Sequence, residues 1–113
     1  MLNLSAFSQV AEEVARGEGA KKVIRRVSGE CAVIIAEFPE DSYIIALRRG
    51  EMTESVVAKI VPSTKATEVP WECGYLDYVP HGYYAVAEDP EAFRSKLVNK
   101  LRSLRNLVKS GRI

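Results

Sequence analysis

Apolar positions near the start of the chain recur with helical spacing. Leu4, Phe7, Ala11 and Val14 are separated by three, four and three residues, which lays one stripe along a helix. Asn3 or Ser5 can cap its start, and Gly17 supplies a left-handed stop after Arg16. The period then changes. Residues 21–27, KKVIRRV, alternate, and Ser28-Gly29 behind them is a two-residue turn signal. CAVIIAEF at 31–38 and SYIIALRR at 42–49 are nearly unbroken apolar runs of strand length, joined by Pro39-Glu40-Asp41. Runs without alternation need cover on both faces, so these two strands are expected at the centre of a sheet.

Residues 53–61 read as a short helix, with Thr53 as cap and Val56, Val57, Ile60 and Val61 as its apolar side, ending before Pro62. The stretch 62–73, PSTKATEVPWEC, has no stable period. GYLDYV at 74–79 and GYYAVAE at 82–88 read as a hairpin around Pro80-His81. Asp89-Pro90-Glu91 then starts a helix, with Asp as cap, Pro in the first turn and Glu near the positive end of the dipole. Phe93, Leu97, Leu101, Leu104 and Val108 fall in a sector of about 80° as it runs to about Lys109. The expected fold is α/β of the α+β kind. A single antiparallel β-sheet of about five strands carries helices packed against it, in the order α-βββ-α-ββ-α, as one globular domain over residues 1–113.

Counting outward from the turns predicts a register. A turn at 28–29 pairs Val27 with Glu30, and a three-residue loop at 39–41 pairs Phe38 with Ser42. One face then carries Arg25, Arg48 and the small residues Ala32, Ala36 and Ala46, which admit a close helix. The other carries Arg26, Arg49, Ile24, Val33 and Leu47, and is expected to hold the thicker core. Four arginines (Arg25, Arg26, Arg48, Arg49) gather at one end of the sheet, where they could contact an anion or nucleic acid. The plainer alternative is that they pair with Glu30, Glu51 or Glu54 nearby.

Charge layout adds what the hydropathy pattern cannot. The net charge is only +1, so bulk electrostatics draws the chain to neither nucleic acid nor basic partners. Yet residues 66–93 hold six acids and no Lys or Arg, and residues 94–113 hold seven bases and no acid. Arg94, Arg102, Arg105 and Lys109 form a stripe on one flank of the last helix. Helix-dipole complementarity alone accounts for acids first and bases last. The other readings are docking on the acidic hairpin, within the chain or between subunits, and contact with nucleic acid. Five of the nine aromatics fall in 71–84. Trp71, Tyr75, Tyr78, Tyr83 and Tyr84, with Glu68, Glu72 and Asp77, therefore mark 66–84 as the expected protein-binding surface.

Catalytic and metal chemistry find little support in the chain. His81, the single histidine, sits in a turn; Cys31 and Cys73 have no CxxC partner or ligand spacing. The sequence assigns no catalytic residue, no metal ligand and no cofactor. No apolar run approaches the ~20 residues of a membrane span, and the start of the chain lacks a signal peptide's pattern, so the expected compartment is the cytoplasm and the cysteines are expected reduced. One Gln and three Asn against 31 charged residues point to a thermophilic source, where an intracellular disulfide becomes less unusual. The expected function is a non-enzymatic protein-interaction module, homodimeric, binding through the acidic aromatic hairpin or the basic last helix. The alternative is a nucleic-acid-binding accessory protein using that helix and the arginine end of the sheet.

Overall fold

The computed structural model describes residues 3–50, 54–65, 73, 79 and 81–112. Helix α1, Leu4–Gly17, buries Leu4, Phe7, Val10, Ala11, Val14 and Ala15, the predicted stripe and its flank. Asn3 Oδ1 accepts from the Ala6 N–H at 3.2 Å and so caps the first turn. The stop differs from expectation: Gly17 is still helical, and the left-handed residue is Gly19, at φ 104°.

Five strands follow: β1 Lys22–Ser28, β2 Cys31–Glu37, β3 Ser42–Arg49, β4 Val56–Pro62 and β5 Tyr83–Ala87. They form one antiparallel sheet in chain order, β1-β2-β3-β4-β5. β2 and β3 lie inside it with their apolar runs buried, as their lack of alternation requires. Helix α2, Pro90–Lys109, is capped by Asp89, whose carboxylate accepts from the Ala92 N–H at 2.9 Å.

The helix expected over 53–61 is strand β4. Apolar residues at helical spacing cannot be told from a strand covered on both faces by period alone. Here Val56, Val57, Ile60 and Val61 are β-branched, lose rotamer freedom in a helix, and fit a pleated surface. Thr53, the expected cap, and residues 74–78, the first arm of the expected hairpin, lie outside the described residues; its second arm is β5.

The register differs for reasons that sit in the turns. The β1–β2 turn is Gly29-Glu30, not Ser28-Gly29, with Ser28 paired to Cys31. Gly29 takes φ 59° while Glu30 stays at negative φ, which is what a type II′ turn demands of its two central residues. That shift of two leaves each side chain of β1 on its expected face. The β2–β3 connection uses four residues, 38–41, closed by the Phe38 N–H on the Asp41 carbonyl at 2.9 Å. A one-residue slip there turns β3 over, so Leu47 and Arg49 join the Ala32 face while Ala46 and Arg48 join the Val33 face.

Both helices cover the Ala32 face. Ala32, Ala36, Ala58, Ala85 and Ala87 let them close on Ile34, Tyr43, Ile45, Leu47 and Ile60, and Phe7 meets Phe93 edge-on at 5.4 Å between the helices. The alanine face therefore admits the helices, as expected, but it also carries the thicker core. The opposite face buries a smaller cluster of Val33, Ile44, Ala46 and Val61 beneath Cys73 and Val79.

Candidate interaction surfaces

Both helices lie on one sheet face, so their facing flanks meet. The bases of α2 find carboxylates on α1 and in the β2–β3 turn. Arg94 bonds Glu13 at 2.6 Å, and Arg102 grips Glu18 with two bonds of 2.7 and 2.9 Å. Arg105 is held most closely. It spans the Glu40 carboxylate at 2.8 and 3.2 Å, donates to the Glu18 carbonyl at 2.8 Å, and stacks 4.0 Å from the Phe38 ring centroid. The carboxylates that the stripe reaches come from the first half of the chain, not from the acids that precede the helix. Lys109 is exposed in the last turn.

These contacts shift the titration of the groups that make them. Burial pushes the Glu40 carboxyl up, but the Arg105 guanidinium, a backbone N–H and the Tyr43 hydroxyl outweigh it and bring the group down to about 2. The Tyr43 hydroxyl, which donates to Glu40 at 2.9 Å, is raised by burial and by that acceptor. Hydrogen bonds from Arg94 and Arg102 lower Glu13 and Glu18 in turn.

The arginine end of the sheet divides between faces. On the helix face Arg25 pairs with Glu12 at 3.3 Å and Arg49 with Glu30 at 3.0 Å, the latter among the acids expected for this role. Arg26 and Arg48 stand on the opposite face, and Arg48 donates to the Arg49 carbonyl at 3.4 Å. The four are not one cluster.

Much of the expected 66–84 surface, namely Trp71, Tyr75, Tyr78, Glu68, Glu72 and Asp77, lies outside the described residues. Tyr83 is half-buried on the helix face with the Lys100 ammonium 5.6 Å from its ring, and Tyr84 is 43% exposed on the opposite face. Two long-range contacts hold Cys73 and Val79 to that opposite face. Cys31 and Cys73, expected as reduced thiols, form a disulfide across 42 residues. Lys59, buried on β4, donates its ammonium to the Val79 carbonyl at 2.7 Å and lies 4.6 Å from the Tyr84 ring centroid. A buried ammonium must be paired, and this carbonyl and ring supply that partner. Beside it Gly82, at φ 121°, packs so tightly that a Cβ would collide with the Ile60 carbonyl.

Lys59 and the carboxylates of Glu13, Glu18 and Glu40 were not singled out from the sequence. A signal for the acids exists in hindsight: Glu12 and Glu13 flank the stripe of α1, and two amphipathic helices on one small sheet must be neighbours. Lys59 had no such signal, because its role depends on β4 being a strand. Among the described residues no group of His, Cys, Asp and Glu is arranged to hold a metal ion, and no helix is long and apolar enough to cross a membrane. The chain matches no family model, no curated protein and no solved structure.

Proposed function

We propose that this chain is a non-enzymatic protein-interaction module that forms a homodimer through the sheet face turned away from its helices, on the β5 side and the adjoining 66–84 stretch. The observation that carries this reading is where apolar surface remains uncovered. Of the four large hydrophobic side chains exposed among the described residues, Ile24, Tyr84 and Val86 project from that face. Tyr84 and Val86 sit together on β5, whose sequence YYAVA carries no charge. Two copies can therefore meet there around a two-fold axis without opposing like charges, and tyrosine is a favoured anchor in such contacts.

The nucleic-acid reading loses its main support, because Arg94, Arg102 and Arg105 already bond carboxylates of their own chain. A thiolate nucleophile is equally unsupported with both cysteines bridged. Light scattering on the purified chain at high micromolar concentration tests the proposal. The expected result is a dimer mass that falls to a monomer in Val86→Glu, with the unfolding midpoint of the monomer unchanged. A wild-type monomer under those conditions overturns the homodimer.

A further inference from the structure

The two edges of the sheet differ in charge and in what caps their main chains. At β5 the Lys96 ammonium donates to the Val86 carbonyl at 2.7 Å, so part of that edge is already taken by the chain itself. β1 is different. Six of its seven residues are exposed, Ile24 at 40% and Val27 at 44% among them, and among the described residues no side chain bonds its main chain. Lys21, Lys22, Arg25 and Arg26 stand on or beside it, with no acid between Ala20 and Gly29. Arg25 is paired with Glu12, and Glu37 stands opposite Lys22 across β2.

The ladder fixes which main-chain groups face outward. A two-residue turn makes Ser28 and Cys31 a hydrogen-bonded pair, and bonding alternates along an antiparallel pair of strands. The N–H and C=O groups of Val23, Arg25 and Val27 are then directed away from β2, towards solvent. This is a template for one more strand.

We propose that the outer edge of β1 takes up an extended acidic segment of another protein as a sixth strand. Main-chain bonds at Val23, Arg25 and Val27 supply the affinity. Alternate side chains of the incoming strand supply the selectivity: carboxylates on the face that carries Lys22, apolar groups on the face that carries Val23 and Val27. A second copy of β1 is the wrong occupant, because it would set the four bases of one chain against the same four of the other. The proposal rests on the interaction-module reading for its class but not on self-association. A monomer that binds such a segment would discard the dimer and keep this edge.

Fluorescence anisotropy of a labelled short peptide alternating Glu and Val, titrated with the full chain at low salt, tests it. Saturable binding is expected, weakening severalfold as salt is raised, with none for the Lys-Val counterpart. N-methylation of alternate residues on one edge of the peptide should abolish binding, since it removes the donors of the new ladder. Lys21→Glu combined with Lys22→Glu should weaken the Glu-Val peptide by about tenfold or more while the far-ultraviolet spectrum is kept. Absence of saturable binding, or equal binding by the N-methylated peptide, would overturn the proposal. The peptide comparison uses the natural chain and decides the matter even if the double variant fails to fold.

Discussion

One face of the sheet is closed by two helices; on the other, Cys73 and Val79 are held by a disulfide and by a lysine. On the helix face burial is continuous from Leu4 to Leu104, and the charges at its margin satisfy one another: Arg94, Arg102 and Arg105 with Glu13, Glu18 and Glu40. On the opposite face a smaller apolar cluster is covered by Cys73 and Val79, while Ile24, Tyr84 and Val86 stay exposed. The first surface is spent on folding. The second retains more apolar area after folding, and that is the area the proposed dimer would cover.

The largest effect should come from the helix face. Phe93 is fully buried and meets Phe7 edge-on, so Phe93→Ala removes both area and a ring contact. A loss of about 3–5 kcal/mol is expected by urea denaturation. A loss under about 1 kcal/mol would mean that the helices are not what stabilises the sheet.

The opposite face should respond differently. Cys31→Ser with Cys73→Ser removes a cross-link that spans 42 residues, and a closed loop of that length is worth about 3–4 kcal/mol in chain entropy. The cost falls on the unfolded state, so the folded sheet should persist. Amides of β2 and β3 should remain the slowest to exchange, and binding of an apolar dye should rise as cover over Val33, Ile44, Ala46 and Val61 loosens. Loss of protection throughout β2 and β3 would erase the contrast between the faces.

How much of this could be read in the sequence follows the same division. The stripes of α1 and α2 and the unbroken runs of β2 and β3 were legible, because each is a local pattern whose period names its element. β4 was not, since Val56, Val57, Ile60 and Val61 suit both a helix face and a strand covered twice; only the β-branched content leans to the strand. The register failed at two turns: Gly29 belongs at the first central position of a type II′ turn, and Phe38 turns inward instead of ending β2. Pairings across the fold were least legible. Arg105 and Glu40 lie 65 residues apart, and nothing local in either stretch announces the other.

Acid titration separates the Arg105–Glu40 pair from the more exposed pairs on the same flank. Glu40 drops from an ordinary 4.5 to about 2 in the fold. A depressed carboxyl stabilises the fold above its unfolded value, and that contribution disappears as pH falls from about 4.5 through about 2. Allowing for solvent screening, about 1–2 kcal/mol should be lost across that window. Glu40→Gln should flatten this part of the acid limb. Glu13 and Glu18, which are shifted in the same direction, contribute to the slope that remains. An unchanged acid limb in Glu40→Gln would show that the Arg105 clasp contributes nothing to stability.

The smallest effect should come from the same helix flank, one step closer to water. Arg94 and Arg105 both bond glutamates from the first half of the chain, yet their surroundings differ. The Arg105–Glu40 pair has 13% of each side chain exposed and is shielded by Phe38, whereas Arg94 and Glu13 are 40% and 47% exposed. An exposed pair gains little in high dielectric and spends side-chain entropy to hold its geometry. Arg94→Ala should therefore leave the unfolding midpoint within error of wild type, and added salt should remove what difference exists. Arg105→Ala, by contrast, strands a covered carboxylate and should lower the midpoint clearly, with little relief from salt. Equal losses from the two variants would mean that the flank acts as one electrostatic seam and that cover by Phe38 does not set the worth of its ion pairs.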